Sequence, residues 1–402
     1  MTDREYELPV TEMDLSVVHK VIPEIRALAI RALQRMYRPE KKMFVFHIRR
    51  DHETDISEGE SRRYTAISLI GLLEEPYEAI DRVLSGNSIS DITDGLIAGA
   101  ERTEDPGELA LVMWLSRAIH HPKTFRLFKR LREMKPQDRC WPTVELSWLL
   151  MAMSIESEAM TDETTADLIA RQLMLAYNER SCLFPHRPDW REAMNLRSHV
   201  ACFADEVYPI LALSQYSRSR DLQEPLDIVC RCGEHLCNLQ GKEGQWWWHY
   251  DVRTGRVLER YPVYAVHQDA MGPMALLMLQ EASEMDYSSW IDRGLSWLIF
   301  PPETSGKSLI DENADLIWRK VARHEPNRLV RGVQAIVSRI HPSFRMPGVD
   351  FLFRPGWVDY ESRPYHMGWI LYAWPARRVA AYHVHTSLPE EKEELAGVDL
   401  YP

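Results

Sequence analysis

The sequence predicts an all-α protein: an (α/α)6 toroid or barrel of helical hairpin repeats, with residues 1–402 forming a single domain. Three observations lead there. A unit of helix, aromatic turn, polar loop and an Arg that precedes an aromatic or His at the start of a second helix recurs roughly every sixty residues. Strand signals are sparse. The final copy, rich in Trp369, Tyr372 and Trp374, lacks the polar outer face of a solenoid cap, so the repeat is expected to close on itself.

The first copy runs from Ile25 to Met36, passes Phe44 and Phe46, and opens its second helix at Arg63-Tyr64, continuing to Leu72. The second has Phe125 to Met134, then Arg139-Cys140-Trp141 before Val144 to Leu150. The third has Thr165 to Tyr177, Leu183-Phe184, and Arg197-Ser198-His199 before Phe203 to Tyr208. In the fourth, a helix from Leu226 to Leu239 meets a glycine turn that delivers three consecutive indoles, Trp246, Trp247 and Trp248, followed by His249 and Asp251. Arg260-Tyr261 then opens a helix from Tyr261 to Gln280, with Tyr264, His267 and Met271 at helical spacing. A weaker fifth copy uses Ile291 to Leu298, Trp318 and Arg328 to Arg339; the sixth has Phe353, Trp357 and Arg363-Pro364-Tyr365-His366 before Met367 to Trp374. Phe44 to Ile48, Phe351 to Phe353 and a ribbon at Asp251 to Gly255 are the strand candidates, decorations on a helical frame.

With 45% hydrophobic residues the chain can bury a large core, and a formal charge of −12 argues against nucleic acid as a partner, because phosphate binding needs a basic face. No stretch of about 18 apolar residues and no basic-then-apolar leader is present, which predicts a cytoplasmic protein without an integral membrane segment. Its six cysteines are expected as reduced thiols. Cys230, Cys232, His235 and Cys237 do not share one helical face, so no metal site is expected from them, and no cofactor is predicted. The acidic run Asp51 to Asp55, with Glu58 and Glu60, reads as a solvated loop. Phosphate-loop, serine-hydrolase and zincin motifs are absent.

Gln240-x3-Gly244-x-Trp246 resembles the Gln-x(2–5)-Gly-x-Trp repeat of the terpenoid cyclase and protein prenyltransferase α/α-toroid superfamily, in which Gln and Trp clasp one helix end to its neighbour. The resemblance covers about a dozen residues and implies the toroid fold before any activity. The superfamily's Asp-x-Asp-Asp acid motif is missing, and Asp138-Arg139-Cys140 with His366 only echoes the prenyltransferase zinc ligands. In lining chemistry the chain is also similar to other (α/α)6 barrels: sugar 2-epimerases, uronyl epimerases, polysaccharide lyases and hydrolases. It resembles, besides, uncharacterised proteins that accompany bacterial exopolysaccharide genes.

In a toroid the inner helices start at one rim, so groups in their first turns converge on one mouth. Acid/base chemistry there needs titratable groups with pKa values pushed apart, which singles out Glu145, His249, Asp251, His267 and His366 as catalytic candidates. Glu145 leads because it is a charge inside the otherwise apolar Val144 to Leu150; the alternative is a structural ion pair with an Arg such as Arg197 or Arg260. Of Asp205 and Glu206, one is expected to be structural. Tyr64, His199, Asp205, Trp246, Trp247, Trp248, Tyr261, Tyr264 and Tyr365 are the expected substrate-binding groups, with indole faces suited to sugar rings or to a carbocation. The expected function is an enzyme acting on a saccharide or glycan intermediate as an epimerase, lyase or hydrolase, in polysaccharide biosynthesis. The alternatives are a non-standard terpenoid cyclase-like enzyme on an isoprenoid, and a non-catalytic glycan-binding scaffold. The ligand is a small molecule or oligosaccharide.

Overall fold

A computed structural model describes residues 15–136, 139–155, 163–192, 196–324 and 352–387, with positions 333 and 337 between the last two stretches. The chain is mostly helical. Its inner helices are α2 (Arg62–Leu72), α5 (Pro106–Ala118), α7 (Thr143–Met153), α9 (Phe203–Arg220), α11 (Gly272–Ser283) and α13 (Pro364–Ala373). Along the chain each packs on the next, and α13 packs back on α2. Preceding them are the outer helices α1 (Leu15–Met36), α4 (Ile89–Ala100), α6 (Thr124–Met134), α8 (Glu163–Ala176), α10 (Gln223–Asn238) and α12 (Ser288–Ile299). A short α3 (Tyr77–Leu84) and a final α14 (Ala376–Ser387) complete the described helices.

Sequence explains which layer each helix joins. Helix α5 buries every residue from Gly107 to Arg117 and α7 nearly all of its apolar run, as helices surrounded by others must. By contrast, α6 alternates charge with a stripe of Leu127, Phe128, Leu131 and Met134, leaving one face for solvent. Inner-helix starts are capped locally. Ser61 accepts from the backbone N–H of Tyr64, Asp105 caps α5 ahead of Pro106, and Asp205 accepts from the N–H of Cys202.

The hairpin order differs from the sequence reading between the first copy and the second. Helices α4 and α5 form a hairpin that the repeat pattern passed over, because α5 opens on Asp105-Pro106 and carries no Arg-aromatic marker. The first helix of the fifth copy is α12, and Met367 to Trp374 of the sixth falls on α13 and its C-cap; most of Arg328 to Arg339 and Phe351 lie outside the described residues. The helix expected from Tyr261 starts later, at Ala265, and passes through a π-helical turn His267–Met271 into α11. Before it, Val263–Tyr264 is a strand, held extended by pairing with Lys320 and Val321.

Strands are more numerous than expected and gather at the inner-helix starts. Taken as β1 (Tyr37–Arg38), β2 (Met43–Asp51), β3 (Thr54–Glu60), β4 (Val200–Cys202), β5 (His249–Asp251), β6 (Arg256–Glu259), β7 (Val263–Tyr264), β8 (Ile310–Asp311), β9 (Leu316–Ile317), β10 (Lys320–Arg323), β11 (Pro355–Asp359) and β12 (Glu361–Ser362), all pair antiparallel. The acidic run 51–55, expected as loop with Glu58 and Glu60, instead spans the end of β2, a turn at His52 and Glu53, and the start of β3, which also carries Glu58 and Glu60. The expected ribbon after Asp251 is the β5–β6 hairpin.

Gly244 sits at φ +96, and a Cβ there would stand 1.9 Å from the carbonyl oxygen of Arg293, so only glycine fits. Beside it, Gln240 Nε2 donates to the carbonyls of Gly244 at 3.0 Å and Trp290 at 2.9 Å, tying the loop to α12, while Trp246 is 1% exposed. Gln240→Ala removes both bonds and should lower stability by about 1–3 kcal/mol, read as a shift in the urea midpoint with unchanged slope. The six cysteines are free; Cys232 is buried against Glu206, and His235 Nε2 bonds the carbonyl of Gly255. Among the described residues no helix is long and apolar enough to cross a membrane.

Candidate active site

The first turns of the inner helices carry a chain of contacts that links one to the next. Arg63, opening α2, bonds Asp105, the cap of α5, through Nε at 2.7 Å and through Nη2. The same guanidinium reaches Glu145, in the first turn of α7, at 3.6 Å, and stacks over Trp148 at 5.8 Å. Burial pushes the Glu145 carboxyl above the ordinary carboxylate range, with Arg63 opposing and Asp205 adding to the rise. Asp105 goes the other way: burial would raise it, but the hydrogen bonds and charge of Arg63 and the N–H groups of Glu108 and Gly107 hold it low. Two carboxylates beside one arginine are thus separated in acidity.

From α7 the chain continues to α9. The loop before β4 is sewn onto the start of α7 by Thr143, whose N–H donates to the His186 carbonyl at 3.0 Å and whose hydroxyl donates to that of Pro185. That places His186 beside Glu145, with Nδ1 3.0 Å from Asp205 Oδ1. The hydrogen bond to Asp205 raises the His186 pKa, favouring imidazolium. Asp205 is therefore both helix cap and histidine partner. Glu206 points the other way, fully buried and pushed well up by burial, accepting from the Phe184 N–H.

On the far side, Tyr64 and Tyr365 meet with ring centroids 4.8 Å apart, and Arg363 Nη1 donates to the Tyr64 hydroxyl at 2.7 Å. Burial lifts the Tyr365 phenol to about 12. Strand pairing brings Arg319 and Lys320 over the Tyr264 ring at 5.4 and 5.5 Å, and Glu361 forms an ion pair with Arg319 at 3.1 Å and accepts from Arg363. Burial, then the neighbouring Arg319, lowers the Lys320 pKa. Trp248 stands edge-on to Tyr264 at 5.6 Å and stacks on His249 at 3.8 Å.

His366 and His267 lie deeper. His366 Nε2 is 2.8 Å from Oδ1 of Asp269, a carboxylate wholly buried in the π-helical turn. His267 packs between Phe203 and Tyr264, and burial drops its pKa to about 3, so it stays neutral at ordinary pH.

The structure thus gathers Glu145, Asp205, Tyr64, Tyr264, Tyr365, Trp248, His249, His267 and His366 around one end of the inner helices. Others have structural neighbours instead. Asp251 is 2% exposed and held by Arg253 through Nε at 3.0 Å and Nη2 at 2.7 Å, so its carboxylate is turned from solvent, whereas the Asp105 side chain is 38% exposed. Asp251→Asn should cost about 1–3 kcal/mol in thermal or urea unfolding while leaving turnover per folded molecule unchanged. Trp246 is core, wedged against Gly272 and Gly294. Tyr261 donates to Glu303 at 3.0 Å, and Trp247 packs against Tyr261. His199 is buried beside the β4–β5 pairing, its carbonyl accepting from Val252. Asp138 lies outside the described residues. The expected arginine partners Arg197 and Arg260 give way to Arg63 at Glu145.

Sequence reasoning missed Asp105, His186, Asp269, Arg319 and Lys320, and used Arg63 and Arg363 only as repeat markers. Asp105 had a readable signal, an N-cap residue followed by Pro. His186 and Asp269 had none, since only the tertiary pairing to Asp205 and His366 singles them out.

By sequence, neither a family model nor a curated protein matches the chain. Solved structures do. A possible member of the GH105 family from Salmonella enterica serovar Paratyphi A superposes with TM-score 0.58 at 10% identity, over 93% of this chain and 97% of that one. An unsaturated glucuronyl hydrolase responsible for glycosaminoglycan degradation, from Bacillus sp. GL1, gives 0.55 at 12%, over 90% and 97%. A glycosyl hydrolase family 88 protein from Bacteroides vulgatus gives 0.52 at 10%, over 90% and 99%. At these identities the likeness shows a shared fold. It supports the helical toroid frame and lends nothing to the terpenoid cyclase link.

Proposed function

We propose that the chain is a carbohydrate-active enzyme built on a closed (α/α)6 barrel, acting on an oligosaccharide by acid/base chemistry. The observation that carries this is the pair Glu145 and Asp105, set apart in acidity beside Arg63. Glu145, buried and raised, is the proton donor to a leaving oxygen; Asp105, held ionised, is the partner that takes a proton from water or substrate. His186 and Asp205 adjoin Glu145 and set its local charge.

Tyr64, Tyr365 and Trp248 supply faces for sugar rings, and Arg319, Lys320 and Arg363 supply donors for hydroxyls or a sugar carboxylate. Hydrolysis is the reaction we favour, because the proteins that share the fold include named glycoside hydrolases. An isoprenoid would leave these charged groups facing hydrocarbon, at about 1–3 kcal/mol for each polar group left without a partner, so the cyclase alternative is not favoured. The setting we propose is cytoplasmic, where the six free thiols stay reduced.

Native mass spectrometry against uronyl oligosaccharides, neutral oligosaccharides, nucleotide sugars and prenyl diphosphates tests the class. Retention of saccharides supports the reading, and retention of prenyl diphosphates alone overturns it.

A further inference from the structure

The opposite end of the inner helices, where their last turns finish, encloses a cavity of about 360 Å³ to which all six inner helices contribute. It lies outside the chemistry described above. Between the two ends stands an aromatic layer: Trp369 meets Tyr208 at 5.9 Å toward one side and Trp114 and Tyr372 at 5.7 and 5.6 Å toward the other.

The cavity's lining pairs two aromatic rings, set at right angles, with a charged rim. Trp114 and Tyr372 meet edge to face at 5.5 Å, and the Tyr372 ring is partly open to the space while most of it is enclosed by protein. Around the rim stand Arg218, Arg377 and Arg378 against Glu74 and Glu281. Both carboxylates are already engaged. Glu281 accepts from Arg218 at 2.9 Å and twice from Arg378, and Glu74 takes a two-oxygen bond from Arg377 at 2.8 Å. The arginines are not used up: Arg218 makes its bond through Nη1, and Arg377 bonds through Nε and Nη2, so Arg218 Nε and Nη2 and Arg377 Nη1 have no partner among the described residues. A group entering this rim finds spare donors and few spare acceptors.

We infer that this end is a second ligand site, for a small molecule with a flat apolar body and one carboxylate or phosphate. Its size is at the lower end of small-molecule pockets, which run about 300–1,000 Å³. The flat body lies against the Tyr372 ring, with Trp114 at right angles to it, and the acidic group meets Arg218 and Arg377 in place of solvent. A cationic head would displace arginine from carboxylates that are already satisfied. The two arginines offered to the ligand are largely exposed, with side-chain exposures of 49% for Arg218 and 65% for Arg377, so their ion pairs set the rim's charge without carrying the fold, while Arg378, at 9%, is the buried one.

Isothermal titration of the full-length chain with 2-naphthoate, 2-naphthyl phosphate and 2-naphthylmethylamine tests this. The expected result is one equivalent of either acid bound, the tighter acid identifying the head group, with the amine weaker by about tenfold or more. The double substitution Arg218→Gln with Arg377→Gln should weaken the acid by about tenfold or more, with an unchanged circular dichroism spectrum, whereas Arg218→Lys should retain most of the binding. Glu145→Gln should leave the affinity unaltered, since it lies at the other end; loss of binding in that variant would move the ligand to the proposed active site. Failure of both acids to bind, equal binding of the amine, or a double variant that binds like the parent would each overturn the assignment.

Discussion

Glu145→Gln is expected to lower kcat on a saccharide substrate by roughly a hundredfold or more, with KM changed only a few-fold, because the amide keeps the shape and loses the proton. The pH profile sharpens the expectation. Glu145 has to be protonated to act as an acid, so activity is present below its folded pKa and is lost as pH rises through it. Since burial raises that pKa, the alkaline limb falls above the usual carboxylate range. Asp105 has to be ionised, and its lowered pKa means that its role fails only as pH drops below the usual range. The parent should therefore show a bell-shaped kcat/KM profile, and Glu145→Gln should lose the alkaline limb while Asp105→Asn loses the acid one. A profile in Glu145→Gln that keeps both limbs would assign the proton to another group, with His186 the neighbour to test next.

The second large effect concerns ring closure. Helices α2 and α13 touch through Gly71 and Gly368, and a Cβ at Gly71 would stand 2.1 Å from the Gly368 carbonyl oxygen. One at Gly368 would stand 2.7 Å from the carbonyl oxygen of Ile67. Both obstacles are backbone, which cannot swing aside as a side chain can. Gly71→Ala should destabilise by about 1–3 kcal/mol, and Gly71→Val by more, because the helices must part where the last inner helix meets the first. Equilibrium urea unfolding reads the change. The matching control is Gly95→Ala on outer helix α4, where a Cβ meets nothing within 4 Å and the added methyl should be neutral or stabilising.

Much of this frame is legible from composition and period, and the exceptions have physical causes. Helices such as α7 and α9 announce themselves as apolar runs, and Glu145 stands out as the one charge in its run. The wide gap between Arg63 and Arg139 concealed a whole hairpin, since α5 starts on Asp105-Pro106 and the marker residue pattern is absent there. Phe44 to Ile48 in β2 and the ribbon after Asp251 were legible, but most strands went unread because they are two to five residues long and pairing across distant segments, such as β10 with β7, makes them extended. At Asp251 the contact is local instead: Arg253, two positions away, pairs with the carboxylate. The site's other half, Asp105 with Arg63 and His186 with Asp205, depends on which hairpin lies beside which. That order is a property of the closed packing.

The most direct test of the central claim is turnover of uronyl and neutral oligosaccharides in ¹⁸O-labelled water, followed by mass spectrometry for the parent and for Glu145→Gln. The account predicts a shortened, labelled saccharide from the parent and a product yield lower by about a hundredfold from the variant. Unlabelled or unchanged saccharides with every substrate, or equal yields from the two proteins, would contradict it.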